Sequence, residues 1–462
     1  MSQTKKNKNR DAAAAKACCS QAMEVYVLDL LEEVKAGSDY RLDPILASSC
    51  EKSRAILCSK VKSGDSKVLS CLMDNIESEL MEEKCSSRLY ELQYFISRDF
   101  KLDINLHRSC KHDADQYCSF QEGKMDGETF ACLNLHLHNK KQPLSIDCAS
   151  QVHRALRQRA SSVSLNPSIE KKCRTDLGRY CPSSVKEFSC LQDHYTSLES
   201  ECRMAIKNFT REESEDVRMN KVLMKACSPM LKRYCQDSLK KKVDEGDALD
   251  CLIRRKNDAD MDPKCAAGIE HFQIIQLDPA ERLHPFIQVK KACKEDVQKL
   301  CSKKDTKKDT ILTCLSKFIR TDTLLGYRQN VSESCRAQVK FEMLQESESI
   351  KLDPVLGDYC KADLDKFCAL RTKDDGASLE CLRKYSDQLS PKCYKALFNK
   401  TRELEDKPEW DYFLMKVCQS FIKTTCKSSP ETLMDCLQNH VHDELMGEKY
   451  VLKFKLFDFV ID

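Results

Sequence analysis

The chain has 462 residues with 76 basic and 73 acidic side chains, a formal net charge of +3, which excludes the electrostatic footprint of a nucleic-acid-binding protein. Charged residues make up 32% and glycines number only 11, a balance that suits solvated helices rather than a β-rich fold. Cysteines number 29, which points to oxidised pairs in a secretory or extracellular compartment.

The first segment, MSQTKKNKNRDAAAAKACC, is basic and lacks the apolar core of a secretory signal. No stretch of the chain reaches the roughly 18 apolar residues of a membrane span. From residue 41 onward a single pattern takes over. Leu42-Asp43-Pro44 stands eight residues before Cys50, where Asp43 can cap a helix and Pro44 suits its first turn. Cys58 completes a C-x7-C pair, a Cys71-Leu72 dipeptide follows, and Cys85 closes the set.

The pair then recurs at 110/118, 173/181, 227/235, 293/301, 360/368 and 418/426, with a period of 54–67 residues. The Cys-Leu dipeptide recurs at Cys132, Cys190, Cys251, Cys314, Cys381 and Cys436. The fourth cysteine recurs at Cys148, Cys202, Cys265, Cys335 and Cys393. Seven repetitions of one spacing define a tandem array. Apolar residues keep the same register, two before and one after the third cysteine (Leu69 and Leu72, Phe130 and Leu133) and four after the fourth (Leu89, Val152, Ile206). Steps of three and four put them on one helical face with the cysteines. Leu-Asn-Pro at 165–167 and Leu-Asp-Pro at 352–354 repeat the helix start, and Gly127, Gly246 and Gly376 mark turns five residues before a third cysteine.

Each repeat therefore reads as a helical hairpin followed by a helix leading into the next. Two helical residues eight apart are separated by roughly 12 Å of rise and about 80° of rotation, beyond the reach of a disulfide. The members of one pair must bond elsewhere. Four cysteines allow three pairings. The nested one fits a hairpin best, first to fourth and second to third: Cys50–Cys85 with Cys58–Cys71, Cys110–Cys148 with Cys118–Cys132, Cys173–Cys202 with Cys181–Cys190, Cys227–Cys265 with Cys235–Cys251, Cys293–Cys335 with Cys301–Cys314, and Cys360–Cys393 with Cys368–Cys381. In the chain-entropy treatment each closure contributes roughly 3–4 kcal/mol. The fold class expected is all-α, a tandem array of disulfide-stapled helical-hairpin repeats. Its boundaries are a partial repeat and basic N-terminus at 1–40, repeats at 41–100, 101–163, 164–217, 218–276, 277–350 and 351–408, an incomplete repeat at 409–445 and an atypical tail at 446–462.

Structural zinc sites use pairs two to four residues apart and redox sites use C-x-x-C; neither spacing occurs. No catalytic motif, cofactor or metal site is expected. The acids three residues after a first cysteine (Asp113, Asp176, Asp296, Asp363) read as solvent-facing helix charges rather than a repeated cation site. Sequons stand at Asn208, Asn330 and Asn399 as glycosylation candidates. Lysines at 240–242 and 303–308 could touch heparan-like glycans or acidic lipid, but they are interleaved with acids and read as solvated loops. His442-Asp443-Glu444-Leu445 spells an ER-retrieval signal, yet 17 residues follow it and such signals are read at a free C-terminus.

The combination C-x2-D-x3-[YF]-C, G-x2-L-x-C-L and a fourth cysteine, present here as CKADLDKFC, GASLECL and Cys393 or as CRTDLGRYC, FSCL and Cys202, resembles the cysteine-rich repeat of the Golgi cysteine-rich fibroblast growth factor receptor family. The resemblance spans roughly residues 41–445. It implies a non-catalytic glycoprotein of the Golgi lumen and secretory pathway, membrane-anchored at full length, that binds secreted ligands such as fibroblast growth factors and affects their trafficking. The competing readings are a saposin-like lipid-binding array, opposed by a mean hydropathy of −0.54, and a reduced, metal-buffering cytosolic protein. Relative to the family the chain is expected to be a fragment or short form, with Cys18 and Cys19 the remnant of a preceding repeat and Cys418, Cys426 and Cys436 lacking a fourth cysteine.

Overall fold

The computed structural model describes residues 39–440, apart from 65, 119–126, 138, 140, 183–185, 241–243, 245, 276–286, 302–307, 326–329, 369–375 and 427–432. Cys18, Cys19, the 442–445 tetrapeptide, the tail from 446 and most of both lysine clusters lie outside the described residues. Every regular element among the described residues is an α-helix or a short 3-10 turn, so the fold is all-α. No described helix is long and apolar enough to cross a membrane.

In the second repeat, Ile104–Tyr117 carries the first cysteine, Glu128–Leu137 the third and Ile146–Arg159 the fourth. The third and sixth repeat that order with Pro167–Tyr180, Glu187–Asp193 and Ser200–Glu215, and with Pro354–Tyr359 plus Lys361–Phe367, Ala377–Lys384 and Pro391–Asp406. The first helix is one piece in the second, third and fourth repeats. In the first, fifth, sixth and seventh it breaks at the first cysteine, where Cys50 and Cys360 leave helical geometry with ψ near zero (4° and 2°).

Local chemistry explains the helix starts. Asp43 accepts from the N–H groups of Ile45 and Leu46, both at 2.9 Å, and Asp353 from Val355 and Leu356, both at 3.0 Å. Asp103 and Asp411 do the same without a proline, accepting from Leu106 and Leu414. Asn166 departs from the expectation. Its side chain makes no cap, and its Nδ2 donates backwards to the carbonyls of Arg159 and Ser162.

The register of apolar residues becomes the core. The leucines after the third cysteine, Leu72, Leu133, Leu191, Leu252, Leu315, Leu382 and Leu437, are all 0–1% exposed. One more periodic position was legible but unread: four residues before the first cysteine stand Leu46, Leu106, Leu223, Val289, Leu356 and Leu414, each at most 2% exposed.

The chain forms two compact units, one of residues 1–209 with 218–224 and 241–243, the other of 210–217, 225–240 and 244–462. Within the first, neighbouring repeats are stitched by a backbone hydrogen bond and a half-buried cation. The Gly127 N–H donates to the Arg98 carbonyl at 3.1 Å, and Arg98 itself pairs with Glu170 at 2.6 Å. Within the second, Gly246 donates to the Glu215 carbonyl and Gly376 to that of Glu348. There Lys256 also bridges to Glu348 at 3.0 Å, and Ser347 Oγ donates to the Trp410 carbonyl at 2.6 Å.

Candidate functional site

The cysteines fall into two ladders. The first and fourth of each complete repeat are joined, with Cα atoms 4.6–4.7 Å apart, as Cys50–Cys85, Cys110–Cys148, Cys173–Cys202, Cys227–Cys265, Cys293–Cys335 and Cys360–Cys393. The second and third are joined, at 5.7–6.1 Å, as Cys58–Cys71, Cys118–Cys132, Cys181–Cys190, Cys235–Cys251, Cys301–Cys314 and Cys368–Cys381. In the seventh repeat Cys426 joins Cys436, and Cys418 stands buried. The ladders differ in access. All twelve outer sulfurs are 0% exposed, whereas the third cysteine of the inner pair is half-buried in the first five repeats.

The acids three residues after the first cysteine are not solvent-facing charges. Asp113, Asp176, Asp296 and Asp363 are 1–7% exposed. Each points across the hairpin at the loop that starts the fourth-cysteine helix. Asp113 accepts from the Ser145 hydroxyl at 2.7 Å, Asp296 from Ser332 at 2.6 Å and Asp363 from Ser390 at 2.7 Å, and all three also accept the backbone N–H of that serine. The serines of the second and fifth repeats in turn cap the helix, through the N–H groups of Cys148 and Cys335. The sequence signal is a serine three residues before the fourth cysteine, at Ser145, Ser332 and Ser390. In the third repeat that place holds Glu199, which offers only its N–H to Asp176 Oδ2 at 3.0 Å. Asp176 Oδ1 has no partner among the described residues.

Over the inner disulfide lies a second recurring contact, a planar group four residues after the third cysteine stacked on the residue preceding the second. Tyr117 meets His136 at 4.8 Å, Tyr180 meets His194 at 5.1 Å and Phe367 meets Tyr385 at 5.3 Å between centroids, and the Arg255 guanidinium sits 4.8 Å over Tyr234. Cys181, Cys190 and His194 form the one His/Cys/carboxylate group among the described residues with metal-ligand proximity. Its two sulfurs are bonded to each other, so they offer no thiolate to a metal.

Buried and half-buried cations join the first-cysteine and fourth-cysteine helices. Arg88 pairs with Asp43 at 2.9 Å, Arg154 with Asp103 at 2.6 Å and Lys400 with Asp353 at 3.2 Å. Lys400 also faces Glu346 at 3.2 Å and Glu403 at 3.5 Å. Burial disfavours its charge, but the three carboxylates outweigh burial and raise the ammonium above its ordinary range. Arg159 is the opposite case: burial pushes its guanidinium down to about 10, with Asp103 opposing. It lies 3.7 Å over the Phe130 ring.

The three sequons fall in different settings. Asn208 is half-buried within Ser200–Glu215, Asn330 is exposed just ahead of Glu333–Glu348, and Asn399 is exposed on Pro391–Asp406. Lys240 ends an exposed turn of helix, while 241–242 and 303–307 lie outside the described residues.

The fold and its ladders define a class: a tandem array of helical hairpins, each closed by an inner and an outer disulfide. A family profile described as a cysteine rich repeat matches residues 18–80, 83–141, 147–199, 200–260, 264–323, 333–390 and 391–445, and the chain belongs to that family. The matched segments open near the fourth cysteine, so every outer disulfide joins two successive segments; Cys110 lies in one and Cys148 in the next. The chain is similar to Golgi apparatus protein 1 of Homo sapiens, 39% identical over 446 residues that cover 93% of this chain and 37% of that protein. It matches Golgi apparatus protein 1 of Gallus gallus at 38% over 93% of the chain and 38% of the relative, and the Caenorhabditis elegans homolog at 29% over 91% and 38%. The chain thus spans less than two fifths of the length of these curated relatives.

Proposed function

We propose that this chain is a non-catalytic binding module of the Golgi lumen, a series of disulfide-stapled repeats that holds secreted protein ligands such as fibroblast growth factors and affects their trafficking. The observation that carries this reading is similarity over 93% of the chain to proteins named for the Golgi apparatus. The cysteine ladders support it, because thirteen disulfides belong to an oxidising compartment. Helices stapled twice per repeat lose little entropy on binding, which favours preorganised recognition by each repeat. The ligand class rests on the family resemblance carried by CKADLDKFC, GASLECL and Cys393. No nucleic-acid partner is proposed, and heparan-like glycans enter as a co-ligand to be tested beside the growth factor.

The test is surface-plasmon binding of the secreted, oxidised chain to a panel of fibroblast growth factors, with and without heparan fragments, against the same chain reduced and alkylated. Saturable binding tighter than roughly micromolar that reduction abolishes is expected. Absence of binding to every growth factor, together with binding to anionic vesicles at acid pH, would replace this reading with the saposin-like one.

A further inference from the structure

Accepting the secretory reading, on which this inference rests, we propose that a cleft between the fifth and sixth repeats is a glycan cradle, filled by the inner sugars of a carbohydrate chain attached to Asn399 itself. The cleft has a volume of about 770 Å³, inside the range of small-ligand sites. One wall is the third-cysteine helix of the fifth repeat, Lys308–Leu325, and the other is Pro391–Asp406. On the latter, Ala396, Asn399, Lys400 and Glu403 all line the cleft, as steps of three and four along one face require. Asn399 is both exposed and part of the cleft lining, so a sugar on its side chain starts at the edge of the cleft.

The lining chemistry suits a neutral, hydroxylated ligand. Four cationic side chains stand against three carboxylates, and the three carboxylates are all engaged by Lys400, which leaves an excess of only one positive charge and no open acidic cluster for a metal ion. The cluster of Lys400 with Glu346, Asp353 and Glu403 offers fixed donors and acceptors at the floor. Sugar hydroxyls and N-acetyl groups both donate and accept, and the exposed Val355 presents an apolar surface to a sugar's C–H face. The tether removes most of the association entropy, because a sugar bonded to Asn399 Nδ2 is already at the site.

Register supports the assignment. The position six residues after the fourth cysteine holds Arg154 in the second repeat, where it crosses the equivalent groove to Asp103. In the sixth repeat the bond to the capping aspartate is made one residue later, by Lys400 to Asp353, and the groove mouth is given to asparagine. Thr401 of the sequon is 6% exposed and its Oγ1 accepts from Arg383 Nε at 3.3 Å, so sugar transfer precedes closure of this repeat.

The experiment uses the full chain secreted from mammalian cells. Site-resolved glycopeptide mass spectrometry follows release by peptide N-glycosidase, once on native protein and once on protein unfolded and reduced. Asn399 is expected to be occupied, and its glycan to be released at least roughly tenfold more slowly from native than from unfolded protein. Val355→Glu, at an exposed position on the cleft wall, is expected to erase that difference while leaving the thermal midpoint of the chain unchanged. Bare Asn399, equal release rates, or protection unchanged by Val355→Glu would each overturn the cradle. Disulfide mapping of the same sample separates two failures. Oxidised cysteines with bare or unprotected Asn399 remove the cradle alone, whereas free thiols with all three sequons bare remove the secretory reading beneath it.

Discussion

Three residues beyond each first cysteine stands an acid, or a residue whose difference is explained at the far end of its bond. Asp113, Asp296 and Asp363 meet serines. In the first repeat the donor is the Glu82 N–H alone, and Ser53 Oγ suffices to accept it at 2.9 Å. In the fourth, Met230 makes no such bond possible, and Asp262 instead caps its own helix through the N–H groups of Lys264 and Cys265. In the seventh, with no fourth cysteine, the place holds Phe421, packed with Leu414 and Leu437. Asp363→Ala leaves Ser390 without its acceptor inside the hairpin, and a loss of about 1–3 kcal/mol is expected in urea unfolding; Asp365→Ala, two residues away and exposed, is the neutral control. The third repeat supplies the converse. Glu199→Ser restores the missing hydroxyl to Asp176 Oδ1 at the expense of an exposed 4.0 Å pair with Arg179, so stability is expected to rise by about 1 kcal/mol. No gain in the urea midpoint would sink the latch as an account of this position. Lys400 has a pH signature. Its folded value lies above its unfolded one, so its contribution is complete below the unfolded value of about 10.4 and is lost only as pH rises through the folded value. Lys400→Met is accordingly expected to destabilise by about 3–5 kcal/mol at pH 8, with the deficit shrinking only in alkaline solution, as pH rises through the folded value.

At the scale of the element, the glycines separate two requirements. Gly376 has φ 76° and a Cβ there would meet Phe413 Cβ at 2.8 Å, whereas Gly178 sits exposed inside Pro167–Tyr180 with nothing within 4 Å. Gly376→Ala is expected to cost about 1–3 kcal/mol and Gly178→Ala to gain about 0.5–1 kcal/mol, read as opposite shifts in thermal midpoint. The pattern of three and four, the Asp-Pro starts and the turn glycines were legible in the sequence because they are local, and the cysteine spacing carried the hairpin. What stayed unread is what an element does to its neighbour. Asp113 and Ser145 lie 32 residues apart, and on a helix drawn alone Asp113 is a polar residue with no visible reason to be buried. Asn166 resembled Asp43 and Asp353 in position, yet the neighbouring carbonyls of Arg159 and Ser162 claimed its amide.

At the scale of the whole molecule, the two disulfide ladders divide labour, and their burial makes the division measurable. The outer bonds close spans of 29–42 residues and the inner ones spans of 9–16, so by chain entropy each outer bond restrains the unfolded chain by about 1 kcal/mol more. Each outer bond fastens the first-cysteine helix to the fourth-cysteine helix across the whole repeat, while the inner bond fastens only the hairpin's turn. Thiol–disulfide exchange needs a thiolate to reach a sulfur. The outer sulfurs are 0% exposed, but Cys71, Cys132, Cys190, Cys251 and Cys314 of the inner ladder are half-buried. Graded reduction of the native protein, followed by alkylation and peptide mapping, is therefore expected to label these five inner pairs first and the six outer pairs only as the repeats unfold. Within the inner ladder, Cys368–Cys381 is expected to lag, because its sulfurs belong to residues only 7% and 5% exposed. Loss of inner bonds should leave the far-ultraviolet helical signal largely intact, since the outer ladder and the buried leucines still hold the helices together. Simultaneous labelling of both ladders, or collapse of the helical signal with the first inner bond, would mean that the turn ends carry the fold and that the outer clamp does not.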